Sequence, residues 1–88
     1  MKKNLKKSKP FKGSIEIQEK IDVSELLLNN PHSYPDNLGY YYYVRFIDHP
    51  TFGTTTKLSG AHTSLVVREY EENGEKFVET LNSIYKVV

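Results

Sequence analysis

Histidine and serine are the residue types in this chain that most often perform catalysis or bind metals, and their spacing favours neither role. His32, His49 and His62 are separated by 17 and 13 residues, without the short spacing that lets two side chains reach one ion. Cysteine is absent. Ser64 and Ser83 lack the flanking glycines of a hydrolase nucleophile. We expect a non-enzymatic protein without catalytic residues, metal or cofactor, and with surface histidines.

Hydroxyl side chains cluster near Gly53 and Gly60. The cluster comprises Thr54, Thr55, Thr56, Thr63 and Ser64. Loops of this composition can hold a phosphate or another small polar ligand. They also form ordinary turns in which the hydroxyls satisfy their own backbone. One alternative is therefore a protein that sequesters a small signalling nucleotide.

Aromatic side chains are concentrated in residues 40–48 (YYYYVRFID), which predict a β-strand. Alternation places Tyr40, Tyr42, Val44 and Phe46 on one face, and Tyr41, Tyr43, Arg45 and Ile47 on the other. Both faces are largely apolar, which indicates a central strand or one covered on both sides. If one face stays exposed, its amphipathic rings suit a protein interface. We predict protein-binding residues at Tyr40, Tyr42, Arg45 and Phe52.

Basic side chains are concentrated at the N-terminus. Six of the twelve are Lys2, Lys3, Lys6, Lys7, Lys9 and Lys12. From residue 13 onward, six basic side chains stand against all 11 acidic ones, which leaves a formal charge of −5. Residues 1–12 predict a flexible arm, and residues 13–88 a single small domain. The arm could attract nucleic acid through counterion release, with the tyrosines as stacking platforms, and this is a second alternative.

The remaining segments predict short strands and turns. Residues 15–23 alternate in hydrophobicity as a half-buried strand does, with Glu19 as an exception on the apolar side. Asp22 or Ser24 can cap a helical turn over residues 25–28. Residues 29–39 predict a loop, and residues 49–62 an irregular segment with a possible strand at 54–58.

The C-terminal part predicts a hairpin. Asn73-Gly74 between two alternating segments favours a two-residue type I′ turn. The resulting register pairs Tyr70 with Phe77, Arg68 with Glu79 and Glu71 with Lys76. It also pairs Glu69 with Val78, Val66 with Leu81 and Val67 with Thr80. Residues 82–83 then bend the chain, and residues 84–88 form a last strand.

Five or six short strands without a long helix indicate a mainly β fold. A sheet in so small a chain must close or pack on itself to protect its edges. We predict a small, partly open barrel of the SH3-like or OB-like kind.

A resemblance is carried by residues 63–67 (TSLVV), 73–74 (NG) and 79–85 (ETLNSIY). This stretch resembles the endings of small uncharacterised proteins of phages and mobile elements, which share the pattern TS-x-VV … T-x-NS-x-Y around a turn. The resemblance covers about 25 residues and implies an accessory role, such as inhibiting a host enzyme, countering host defence or modulating transcription or replication. It implies no catalytic residue.

We therefore expect a small non-enzymatic protein that binds and inhibits or modulates a host protein. No apolar run is long enough to cross a bilayer, and we expect no membrane partner and a location in the cytoplasm of the bacterial host. The oligomeric state stays open, and a homodimer is compatible with the sequence.

Overall fold

The structure is a computed structural model that describes residues 9–28 and 37–88. Its elements are β1 (Phe11–Asp22), α1 (Ser24–Leu28), β2 (Tyr40–Phe46), β3 (Val66–Glu72), β4 (Glu75–Thr80) and β5 (Ile84–Val87). The five strands form one sheet in the order β2-β1-β5-β4-β3. β1 and β5 are parallel, and the other neighbours are antiparallel. The predicted mainly β, partly open fold is confirmed.

The first strand begins two residues before the predicted domain boundary. Phe11 and Lys12, assigned to the arm from the sequence, are the first residues of β1. Pro10 also belongs to the sheet margin, because its carbonyl accepts a hydrogen bond from the Ile84 backbone N–H at 2.9 Å. Of the predicted loop at 29–39, only residues 37–39 are among the described residues.

A β-bulge in β1 explains why Glu19 broke the apolar pattern of the sequence. Ile17 pairs with Val44, but the register then shifts and Glu19 pairs with Tyr43. One extra residue reverses the face on which every following side chain lies. Glu19 is consequently exposed, whereas Ile15 is fully buried.

The helical turn forms where the sequence predicted it. The Asp22 carboxylate accepts hydrogen bonds from the Ser24 backbone N–H at 2.9 Å and from the Ser24 hydroxyl at 2.7 Å. These bonds hold the pKa of Asp22 below its usual value, the hydroxyl bond making the larger contribution. α1 therefore begins two residues after an acidic side chain that accepts its first backbone N–H.

Of the two predicted alternatives for β2, a central strand or one covered on both sides, the first was wrong. β2 lies at one end of the strand order, with β1 on one side only. Its other edge is covered by residues 61–63 instead, because Val44 N–H donates to the Ala61 carbonyl at 3.0 Å and Thr63 N–H donates to the Tyr42 carbonyl at 2.9 Å. The suggested strand at 54–58 does not form, although Thr55 N–H donates to the Phe46 carbonyl of the same edge; the bridge to β2 lies at His62.

The even-numbered face of β2 forms the core. Tyr42 is 8 % exposed, Val44 is fully buried and Phe46 is 3 % exposed. They pack with side chains from the other four strands: Ile15, Val66, Val78 and Tyr85. The odd-numbered side chains of β2 therefore point outward.

The hairpin follows the predicted register at its tip and departs from it at its base. Asn73 and Gly74 both have positive φ, as a type I′ turn requires. Four predicted pairs are present: Tyr70–Phe77, Arg68–Glu79, Glu71–Lys76 and Glu69–Val78. The Val66–Leu81 and Val67–Thr80 pairs were wrong, because a bulge places Val66 opposite Thr80. The bulge turns Val66 onto the core side, where it is fully buried.

Gly13 allows the end of β2 to approach β1 closely. Its φ is +94°, and a Cβ there would lie 2.3 Å from Asp48 Oδ1 and 2.8 Å from the Asp48 carbonyl oxygen. The same Asp48 oxygen accepts the Ser14 N–H at 2.6 Å. An added methyl group would therefore collide with an atom that is already fixed by a hydrogen bond.

We predict that Gly13→Ala lowers the free energy of unfolding by roughly 2 kcal/mol or more, because strain and collision add together. Gly53→Ala is the matched control, since Gly53 also has positive φ (+62°) but an added Cβ meets nothing within 4 Å. It should cost about 1 kcal/mol. Urea denaturation of both variants measures the difference, and equal losses would contradict the collision.

Candidate functional site

Three rings lie together on the outward face of β2. The centroids of Tyr41 and Tyr43 are 5.9 Å apart, and His62 lies 5.2 Å from Tyr41 and 6.2 Å from Tyr43. His62 reaches this position because residue 62 forms an antiparallel bridge with Tyr43 along the free edge of β2. Both tyrosines are half-buried and His62 is exposed.

The loop beside these rings, residues 49–62, is fixed at several points although it is irregular as predicted. His49 and Gly53 exchange two backbone hydrogen bonds, of 3.0 and 2.8 Å. Thr55 N–H donates to the Phe46 carbonyl at 2.9 Å. The Gln18 side-chain amide donates to the Lys57 carbonyl at 3.2 Å. The loop is therefore attached to both β2 and β1.

Two large apolar side chains of this fixed loop face solvent. Leu58 is 96 % exposed and Phe52 is 61 % exposed. Leu58 and Tyr43 line a groove of about 430 Å³, and Phe52 and His62 line an adjoining cleft of about 340 Å³. We call these residues the β2 contact surface: Tyr41, Tyr43, Phe52, Leu58 and His62.

Charges near the β2 contact surface are balanced. Arg45 Nε pairs with Glu16 Oε1 at 2.8 Å, and this bond holds the pKa of Glu16 below its usual value. Glu19 and Lys57 line opposite parts of the groove beside Tyr43. The surface is thus apolar and aromatic at its centre, with neither sign of charge in excess around it.

The sequence prediction placed Tyr40 and Tyr42 in the contact surface, and the structure corrects this for Tyr42. Its side chain lies in the core, and its hydroxyl donates to Glu69 Oε2 at 2.6 Å. The Tyr40 hydroxyl donates to the same oxygen, and the Lys20 ammonium lies 4.2 Å from the Tyr40 ring centre. The pair therefore joins β2 to β3 on the inner side of the sheet.

The ionisation of this group follows from its burial. Burial, followed by the bond to Glu69, raises the pKa of Tyr40 to about 12, and the same causes raise the pKa of Tyr42. Burial alone would raise the pKa of Glu69, but the two hydroxyls and Lys76 lower it below its usual value. A carboxylate stabilised by two phenol donors is a structural link.

Arg45 and Phe52, the other two predicted contact residues, lie outside the core. Arg45 is on the outward face with Tyr41 and Tyr43, although its guanidinium is held by Glu16. Phe52 keeps one ring face against Phe46, with a centroid separation of 5.8 Å. Phe52 lines one cleft with His62, and the His62 ring in turn contacts Tyr41 and Tyr43.

The lysine cluster can be placed only in part, since Lys2, Lys3, Lys6 and Lys7 lie outside the described residues. Lys9 Nζ pairs with Glu79 at 2.8 Å and donates to the Thr80 carbonyl at 2.9 Å. Lys12 is half-buried in β1. Two of the six lysines therefore belong to the folded sheet.

The hydroxyl cluster mainly stabilises its own backbone. Thr54 donates to the Ile47 carbonyl, and Thr55 Oγ1 accepts the Phe46 N–H at 2.8 Å. Thr63 is 2 % exposed, and its Oγ1 accepts the Tyr42 N–H at 3.2 Å. The Tyr42 and Phe46 amides are four residues apart on one strand, about 13 Å. These hydroxyls therefore do not converge on one ligand. Thr56 is exposed, and the Ser64 hydroxyl is bonded to the Asn82 amide.

The residues that carry the phage-like pattern meet in the fold. The Asn82 amide donates to the Ser64 hydroxyl at 2.9 Å. Thr80 Oγ1 accepts the Ser83 N–H at 3.1 Å and lies 3.2 Å from the Ser83 carbonyl. Tyr85 packs on Phe46 in the core, with centroids 5.7 Å apart. The pattern thus describes a turn and its attachment to the preceding segment.

His49 is buried, contrary to the prediction of surface histidines. It is 8 % exposed, and its ring stacks on Phe52 at 4.6 Å. Its Nδ1 accepts the backbone N–H groups of Thr51 at 3.0 Å and Phe52 at 3.2 Å. Burial, and then the charge of Lys12, lowers the pKa of His49 below its ordinary 6.5. A proton on Nδ1 would remove both bonds.

Sequence reasoning missed Tyr41, Tyr43, Leu58 and His62. Arg45 was the available signal that the odd-numbered face of β2 points outward. A charged side chain on a strand faces solvent more often than the core, and Arg45 shares that face with Tyr41 and Tyr43.

Within residues 9–28 and 37–88, no group of three His, Asp or Glu side chains is arranged to hold a metal ion. The helix found in this part of the chain is too short to span a membrane.

We predict that Thr80→Val lowers the free energy of unfolding by about 1–3 kcal/mol, because the buried Ser83 N–H loses its acceptor without a change in side-chain shape. Thr51→Val is the control, since Thr51 is exposed and should change stability by less than about 0.5 kcal/mol. Thermal and urea denaturation measure both. A neutral Thr80→Val would argue against the turn as a source of stability.

We predict that lowering the pH from 7.5 to 5.5 destabilises the native protein, partly through His49. The pKa of His49 in the folded protein lies below the unfolded value of 6.5. As the pH falls, the unfolded chain therefore binds the proton first, and the free energy of unfolding decreases. His49→Asn places a non-titrating amide oxygen where Nδ1 accepts. The variant should lose less stability over this interval, measured as urea midpoints at both pH values, and an unchanged loss would contradict the role of His49.

Comparison with known proteins gives no assignment for this chain. No protein-family model matches it, and neither the curated proteins nor the solved structures contain a match. Its function must therefore be inferred from the residues described above.

Proposed function

We propose that this chain is a small non-enzymatic accessory protein of a phage or mobile element that binds a host protein and inhibits or modulates it. The β2 contact surface makes the contact. One observation carries the proposal: Leu58 and Phe52 are strongly exposed apolar side chains on a loop that is hydrogen-bonded to the sheet.

Preorganisation is the first argument for this surface. A loop that is already ordered loses little conformational freedom when a partner binds, so more of the contact energy appears as affinity. Exposed leucine and phenylalanine have no hydrogen-bonding role that would explain their position. Together with the outward Tyr41 and Tyr43 they form the kind of apolar and aromatic centre found in protein interfaces.

The balance of charge favours a protein over nucleic acid. A nucleic-acid site presents a basic surface to the phosphate backbone. Near the β2 contact surface, Glu16 neutralises Arg45, and Glu19 lines the same groove as Lys57. A partner that covers this region therefore need not carry phosphates. The lysines of residues 2–7 could still add affinity for an acidic partner.

We predict that Leu58→Glu abolishes capture of the partner. The immobilised protein is exposed to bacterial host lysate. A host protein that it captures is then purified, and its binding to the unmodified and substituted chains is titrated. Because Leu58 is 96 % exposed, the substitution should leave the thermal midpoint unchanged while weakening binding by about 30-fold or more. Val88→Glu, at a site that is 65 % exposed outside the surface, should bind as the unmodified protein does.

Ionic strength separates the two partner classes. Binding through the β2 contact surface should change less than about threefold between 50 and 300 mM salt, whereas phosphate contacts would lower affinity by orders of magnitude. Equal capture by Leu58→Glu, or recovery of nucleic acid alone in a salt-sensitive manner, would refute the proposal.

A further inference from the structure

We propose that the 340 Å³ cleft beside the β2 contact surface binds a tryptophan side chain of the partner. The cleft lies between the loop and β2, and its lining residues are Phe46, Phe52, Thr55, Ser59, Ala61 and His62. This inference rests on the proposed function and specifies which feature of the partner the site selects.

The size and apolar wall of the cleft suit one aromatic side chain. Its volume is at the lower end of the range of ligand pockets. A cleft of this volume accommodates a bicyclic ring but not a folded segment. Phe46 is buried, and Phe52 stacks on it with an interplanar angle of 24°. His49 also stacks on Phe52. Phe52 is therefore held in one orientation while 61 % of it remains exposed to a guest ring.

The polar atoms at the rim define what the guest must offer. His62 Nδ1 lies 2.9 Å from the Thr63 carbonyl, which can only accept, so the neutral ring carries its proton on Nδ1. Nε2 is then an acceptor, and an indole N–H is a donor that has no accepting function of its own. An indole therefore matches this acceptor better than an aliphatic side chain.

Two hydroxyls among the lining residues, those of Thr55 and Ser59, can bond to the partner's backbone. Thr55 Oγ1 accepts the Phe46 N–H at 2.8 Å, and Ser59 Oγ accepts the Ala61 N–H at 3.2 Å. Each hydroxyl keeps its own proton to donate, and peptide carbonyls are the acceptors that a protein partner supplies. The cleft thus combines a ring platform with donors suited to a peptide.

The absence of charge in the cleft argues against a nucleotide. None of the six residues that line it is lysine, arginine, aspartate or glutamate. A nucleotide would bring phosphates that require basic side chains or several backbone N–H donors. A neutral indole requires neither.

N-acetyltryptophanamide tests the proposal directly, because the chain contains no tryptophan and the probe's emission reports its own environment. We expect millimolar binding, followed by fluorescence and by chemical shifts of Phe52 and His62. N-acetylleucinamide should bind at least about fivefold more weakly. Phe52→Ala should weaken tryptophan binding by about fivefold or more. Val88→Ala, at an exposed site outside both the cleft and the β2 contact surface, should leave it unchanged.

The outcomes separate this inference from the proposed function. Host-protein capture that depends on Leu58, with no shift of Phe52 or His62 by the tryptophan probe, would overturn the cleft assignment and leave the contact surface standing. Binding of the leucine probe as tightly as the tryptophan probe, or binding that Phe52→Ala does not change, would also overturn it. A response to a mononucleotide panel without a response to tryptophan would assign the cleft to a different ligand.

Discussion

Partial closure, by a few hydrogen bonds between the two ends of an otherwise open sheet, is the constraint on which the rest of this structure depends. The strand order leaves β2 and β3 at opposite ends, and the Glu69 carboxylate of β3 joins them by accepting the hydroxyls of Tyr40 and Tyr42. A second connection runs through the backbone, where Leu38 N–H donates to the Val66 carbonyl at 2.8 Å. The tyrosines that make these bonds point inward with Val44 and Phe46, so the alternation of the strand directs Tyr41 and Tyr43 outward.

The second consequence of closure concerns the loop between β2 and β3. A chain that leaves β2 at one end of the sheet and enters β3 at the other must cross between them, and residues 61–63 do so while pairing with the free edge of β2. This pairing protects an edge that would otherwise be open to aggregation. It also brings His62 against the outward tyrosines and fixes the loop that carries Phe52 and Leu58. The contact surface is therefore a product of the same bonds that complete the fold.

The polar residues of the C-terminal half illustrate how a motif can be structural. Thr63, Thr80 and Ser83 are almost fully buried, and their hydroxyls or backbone groups bond to one another or to β2. Buried hydroxyls without partners would be costly, so a pattern of Thr, Asn and Ser at fixed spacing is what this turn demands. The same consideration explains why the threonine cluster, considered as a ligand site from the sequence, does not converge on a single point.

Local features were determined by the sequence itself: the Asn73-Gly74 turn and four of its cross-strand pairs, the Asp22 cap of α1, and the mainly β composition. Each depends on residues that are near one another in the chain, so backbone preference and side-chain type suffice. Only the tertiary structure decided which tyrosine face is buried, that β2 is an end strand, and that His49 lies inside. These outcomes depend on Glu69, residues 61–63 and the two bulges, which act across long separations. A one-residue shift in register reverses the face of every following side chain, and alternation alone cannot reveal where that shift occurs.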